Sequence, residues 1–282
     1  MKLKFLLPAI AAVTLLGFSS CKKATTTADD TAEIETTFDL ASKGGISENL
    51  TQDAQNILNA AAVDNNIAGN FTQGTTGVDG VLGCAIITVT QINAPNAFPK
   101  NIVIDFGTTG ACNNRTGKIN VVLTDSLRKS GSIATMTFIN YTVGNYKKEG
   151  TITWTNTSTA TQKSWNRVCV GGKITNTTNS NYWLHEGQQT IVQTAGNGTS
   201  SILDDEFSIT GGRTTTNAAG QTRVGTILTA LQKKILCENI VKGTYKIQGP
   251  NHVAIIDFGD GTCDDQATIS IDGRPARTFT LR

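Results

Sequence analysis

SIATMTFINYTVGNYKKEGTITWTNT, residues 132–157, decides the fold. Around Thr137, Phe138 and Ile139, and again through Thr151, Ile152, Thr153 and Trp154, apolar and polar residues alternate. That is the period of a strand with one buried and one wet face. Working outward, the same texture recurs in CAIITVTQI, NIVIDFG, KINVVLT, WNRVCVGGKIT, QQTIVQTA, EFSITGGRTTT, RVGTILTAL, NIVKGTYKI, HVAIIDFG, ATISIDG and RTFTLR, with short Gly, Asn, Asp or Pro breaks between them. β-Branched and aromatic residues at these spacings predict a mainly β chain, an antiparallel meander of about a dozen strands. Such a meander forms a sandwich, a barrel or a strongly curved sheet. Asp272-Gly273 suits a tight hairpin between the last two strands.

The meander contains a repeat. Cys84 precedes a strand, a Pro-containing turn, IVIDFG, Cys112 and a further strand; Cys237 precedes a strand, a turn with Pro250, VAIIDFG, Cys263 and a further strand. The order reads as a duplicated three-stranded unit at about 83–125 and 236–273. Each IDFG strand runs back along its predecessor, so the two cysteines of a unit meet at one end. The expected bridges are Cys84 with Cys112 and Cys237 with Cys263, leaving Cys169 as a buried free thiol in an apolar strand.

Upstream, MKLK is followed by an apolar run at 5–18 and then SSC. The run is too short for a permanent membrane helix and reads as an export signal, residues 1–20. Cys21 stands where a lipoprotein signal places its lipidated cysteine, so the expected partner is a membrane reached through a lipid anchor. Without Lys2 and Lys4, the 24 basic residues fall to 22, equal to the 22 acidic ones. No basic block remains to support a nucleic-acid surface. Residues 21–45, rich in Thr, Ala and acids, read as a flexible stalk, in which Ile34 and Phe38 are spaced to dock one helical turn. Ile46, Leu50, Ala54, Ile57, Leu58 and Ala61 then recur at helical spacing, which predicts one amphipathic helix over 47–63, with Ser47 as N-cap and Glu48 near its positive end. Residues 46–282 are expected to form a single domain.

Signals for chemistry are sparse. His185 opens HEGQQ, half of a zinc motif whose second histidine is replaced by Gln189, and reads as a hairpin-end residue. His252 follows Pro250-Asn251 and reads as exposed. Asp257, Asp260, Asp264 and Asp265 surround Gly259 and Gly261; oxygen ligands of this kind suit calcium, but the spacing is not that of an EF-hand and the first repeat lacks the charges, so turn formation is the favoured reading and no metal or cofactor is expected. Paired carboxylates for a glycosidase, drawn from Asp204, Asp205, Glu206, Asp264 and Asp265, have no spacing that brings two of them across a cleft. Trp154 and Ile152 share the buried face. Tyr182 and Trp183 point to opposite faces of their strand, which makes this pair the candidate ligand contact.

The order of an export signal, a short acidic and helical segment, IDFGTTGAC at Ile104–Cys112, EGT and W-x-N strands, DDEFSITG, and IDFGDGTC (IDFG-x-G-x-C) at Ile256–Cys263 resembles a group of exported lipoproteins common in Bacteroidota. The resemblance spans essentially the whole mature chain and implies an all-β exported domain; it implies no activity. Asp30-Thr31-Ala32 and Asp125-Ser126-Leu127 also look like the sites at which Bacteroidota attach O-glycans. Together these readings predict an outer-membrane lipoprotein, on the surface or the periplasmic face. It is expected to be non-catalytic and to present a β domain for binding or structure, with a glycan or protein partner. A carbohydrate-binding accessory role is the alternative, and an acidic glycoside hydrolase ranks behind it.

Overall fold

In a computed structural model the described residues are 28–64, 81–91, 97–199 and 201–281; residues 1–20, read above as an export signal, and Cys21 lie outside them. One helix, α1 (Ala28–Asp64), precedes β1 (Ile86–Gln91), β2 (Lys100–Asp105), β3 (Arg115–Leu123), β4 (Ile133–Val143), β5 (Tyr146–Asn156), β6 (Ser164–Asn176) and β7 (Tyr182–Ala195). The meander continues with β8 (Glu206–Asn217), β9 (Thr222–Lys234), β10 (Ile240–Gln248), β11 (Val253–Asp260), β12 (Gln266–Ile271) and β13 (Arg277–Thr280). All thirteen strands pair antiparallel in sequence order in one sheet, and β1 does not close onto β13. The strands lengthen from 6 residues in β1 to 14 in β7 and shorten to 4 in β13.

The sheet winds around α1. Helix side chains bond to β3 (Asp53 to Arg115), β5 (Thr51 to Lys148), β6 (Glu48 to Arg167), β7 (Ser47 to Trp183), β9 (Thr37 to Arg223) and β13 (Glu35 to Arg277). Residues 44–58 are consequently buried on every side of the helix. β-Bulges supply the curvature, since an extra residue on one strand bends and twists the pair. At Gly150 (φ 107°) and Gly211 (φ 110°) the register of β5 on β6 and of β8 on β9 shifts, and a Cβ would meet the Gly171 and Gln188 carbonyl oxygens at 2.7 and 2.5 Å.

Two sequence expectations change. The helix covers 37 residues, so Ala28–Gly45 is not stalk, and Ser47 and Glu48 lie in mid-helix rather than at its start. Ser47 Oγ donates to the Lys43 carbonyl instead of capping. Gly44-Gly45 lie inside the helix, where the missing side chains admit the sheet: a Cβ on Gly45 would lie 2.9 Å from Phe279 Cζ, and one on Gly44 3.5 Å from Ile247 Cδ1. The docking of Ile34 and Phe38 holds, with Ile34 buried and Arg277 lying over the Phe38 ring at 3.6 Å.

Both disulfides form as expected, with Cα separations of 5.0 Å for Cys84–Cys112 and 5.2 Å for Cys237–Cys263, and Cys169 is free and buried. An odd number of chain reversals separates β1 from β10, so the two bridges sit at opposite ends of the sheet. Replacing Cys237 and Cys263 by serine opens a loop spanning 26 residues and should lower the unfolding free energy by about 3 to 4 kcal/mol in the chain-entropy model. Denaturant melts of the paired variant test this.

Candidate functional site

The interior centres on a carboxylate. Glu48 is fully enclosed; its Oε1 accepts from Arg167 Nη2 (2.8 Å) and Gln52 Nε2 (2.9 Å), and its Oε2 from Arg213 Nη2 (2.5 Å) and Gln189 Nε2 (2.6 Å). Burial pushes its carboxyl up, but Arg213 and Arg167 more than offset this and hold it at about 2. Arg167 also donates to Gln189, whose Oε1 accepts from Arg213 at 3.2 Å. Lys148 Nζ donates to Thr51 Oγ1 (3.2 Å) beneath the Phe138 ring, and burial pulls its ammonium down to about 8.

Against this cluster lie Cys169 and His185, Sγ to Nδ1 3.7 Å. Arg213 Nη1 is 3.2 Å from the same Nδ1 and can only donate, so the imidazole proton sits on Nε2, a buried atom with no hydrogen-bond partner. Burial, with Lys148, Arg213 and Arg167 nearby, depresses the His185 pKa well below its ordinary range, so the ring is neutral. A thiol beside an imidazole has the composition of a nucleophile and its base. Cys169 is 5% and His185 1% exposed, and Cys169 borders the outer-face depression between β6 and β9.

This corrects the placement of His185, which sits in the middle of β7 and faces inward, not at a hairpin end. His252 is likewise buried rather than exposed: its Nδ1 lies 2.6 Å from Asp272 Oδ2 and its Nε2 2.8 Å from Asp30 Oδ1. Only the imidazolium donates at both positions. The Asp272 bond, opposed by desolvation and reinforced by Asp30, raises its pKa. A raised folded-state value stabilises the fold fully below the ordinary histidine pKa of about 6.5, and the contribution is lost as pH rises through the folded value. Melting temperatures from pH 6 to 9 should therefore converge on those of His252→Gln as pH rises; a constant offset contradicts the clamp.

Of the two candidate ligand contacts, Trp183 is 2% exposed and donates from Nε1 to Ser47 Oγ at 2.8 Å, so it is a core residue and not a surface contact. Tyr182 is 37% exposed on the outer face, with Lys173 Nζ 4.7 Å from its ring. The same face of the sheet holds a shallow depression of about 540 Å³ across β6–β9, where Val168, Glu186, Gln188, Thr214 and Val224 surround Gly212. Glu186 is fixed at its rim by accepting from the Gly171 N–H at 2.9 Å. An apolar wall with a carboxylate and amides at its edge suits a small polar ring or a side chain laid flat.

The acidic clusters resolve into local structure. Asp257, Asp260 and Asp264 accept from the backbone N–H groups of Gly259, Thr262 and Gln266 in their own turns. Among the described residues no three His, Cys, Asp or Glu side chains converge as a metal-binding group. Asp205 is buried, bonded to Arg128 (3.0 Å) and Gln193 (2.6 Å), and burial lifts its pKa to about 6. Glu206 instead accepts from Gln232. The chain matches no family model, no curated protein and no solved structure. What it does has to be argued from this geometry.

Proposed function

We propose that the protein is a non-catalytic envelope lipoprotein, anchored through acyl chains on Cys21, whose β domain presents a binding surface. The observation that carries this reading is the fate of the reactive side chains: Glu48, Lys148 and His185 are enclosed in the interior, Cys169 is 5% exposed at the floor of the outer-face depression, and Asp205 is locked to Arg128. The chemistry that a list of residues would nominate as catalytic is consumed by packing. Cys21→Ala tests the anchor. The wild type should sediment with membranes and take up labelled palmitate, and the variant should do neither; equal partition of both contradicts the proposal.

The carbohydrate-binding role is the second reading, favoured by the outer-face depression and by Tyr182 exposed on the same strand as Glu186. Exposed aromatic and apolar surface stacks sugar rings while nearby carboxylates and amides accept and donate hydrogen bonds. Titration with a panel of polysaccharides should then give saturable binding that Tyr182→Ala weakens and Val224→Arg abolishes. Absence of saturable binding to every member of the panel removes this role and leaves the anchored scaffold.

A further inference from the structure

The helix that runs through the sheet also fixes which way the domain faces. The side chains of the first turns of α1 reach partners at one end of the strands. Asp30 meets His252, Glu33 accepts from Asn251 N (2.8 Å) and Nδ2 (2.6 Å), Glu35 meets Arg277 at 2.8 Å, and Thr37 Oγ1 accepts from Arg223 Nε at 3.1 Å. These partners lie in or beside the β8–β9, β10–β11 and β12–β13 turns, which define an entry end. The β5–β6 and β7–β8 connections and the Cys237–Cys263 bridge lie at the opposite, far end.

Seven peptide steps separate Cys21 from Ala28, a reach of at most about 25 Å even fully extended. β7, with 14 residues, is about 45 Å long. The tether is thus shorter than the wall it would have to climb, and the far end cannot come down to a bilayer that holds Cys21.

The two ends differ in the composition of their turns. The turns at the entry end, NTTNSN at 176–181 and NAAGQ at 217–221, carry no charge. The carboxylates nearby are each engaged: Asp30 and Asp272 with His252, Glu33 with Asn251, Glu35 with Arg277, Glu149 with Lys147 and Asp105 with Lys118. Arg274 stands exposed in the last turn. At the far end Asp260 and Asp264 accept from Thr262 and Gln266 in their own turn and Asp265 is exposed, while Lys234 reaches the Gly261 carbonyl and Lys129 is exposed in the β3–β4 turn.

We infer that the entry end lies against the phospholipid surface and that the far end, with the second disulfide, points away from it as the face open to partners. This rests on the anchoring reading above.

Cysteines placed by Ala219→Cys in the β8–β9 turn and Ala160→Cys in the β5–β6 turn label one end each; both alanines are exposed, and Cys169 is buried. The acylated full-length protein, carrying a fluorophore at one position, is reconstituted into vesicles containing headgroup spin-labelled phospholipid. The label at 219 should be quenched several-fold more than the label at 160. An acylated chain in which the two are quenched equally, or 160 more strongly, overturns the orientation while leaving the anchor standing. A chain whose intact mass shows no acyl groups overturns the anchor, and the orientation falls with it.

Discussion

Replacing Glu48 by alanine should cost the fold about 3 to 5 kcal/mol, the penalty for leaving buried charges without their partner. Arg167 and Arg213 are both enclosed and share this one carboxylate, with Lys148 adding a further positive charge nearby. Alanine removes the carboxylate that both guanidinium groups pair with. The same reasoning gives a rescue: with Arg167→Met and Arg213→Met added to Glu48→Leu, Lys148 is the one ammonium left in the cluster, it keeps its bond to Thr51, and most of the loss should be recovered. Because the Glu48 pKa is depressed to about 2, its contribution is present above the ordinary carboxylate value and lost as pH falls through 2. Denaturant melts of wild type, single variant and triple variant at neutral pH decide the matter. A Glu48→Ala protein within 1 kcal/mol of wild type contradicts the hub.

The second large effect concerns α1 itself. A chain lacking residues 28–64 should show no cooperative unfolding transition. Leu40, Ile46, Leu50, Ile57 and Leu58 are buried by the sheet. Burying each is worth about 1.5 to 3 kcal/mol, so the set amounts to roughly 7 to 15 kcal/mol, as large as the whole stability of an ordinary domain. The inward-facing Arg167, Arg213 and Trp183 would also lose their helix partners Glu48 and Ser47. A smaller lesion grades the effect: Leu50→Ala should cost about 2 to 5 kcal/mol. A truncated chain that melts cooperatively near the wild-type temperature contradicts the wound arrangement.

These residues also mark where sequence reading succeeds. Alternation is local, so strands such as Thr151–Trp154 and the duplicated IDFG units declared themselves, and the duplication carried both disulfide pairings with it. Helix extent was hidden because Gly44-Gly45 has two meanings. In a surface helix it is a break; in a helix gripped by strands it is the space for Phe279 and Ile247. The polar interior was hidden because charge ordinarily marks the wet face. Arg167, His185, Gln189 and Arg213 nevertheless sit in phase with Trp165, Cys169, Trp183 and Thr215 on the buried side of their strands. That phase was the available signal: polar residues on the tryptophan side of three consecutive strands call for a polar element inside, and SENLTQDAQN at 47–56 is that element. For Tyr182 and Trp183 alternation showed that they face opposite ways, and only the position of α1 shows that Trp183 is the inward one.

The proposed presentation of the domain and its orientation both depend on α1 being the axle of the sheet rather than a stalk beside it. Amide hydrogen exchange on the unmodified protein tests this without perturbing it. Residues 47–58 should be as protected as β6–β9 and exchange only through global unfolding, with protection easing toward Ala28. Exchange of residues 28–45 within seconds, with 47–58 opening well before β7, would contradict the account.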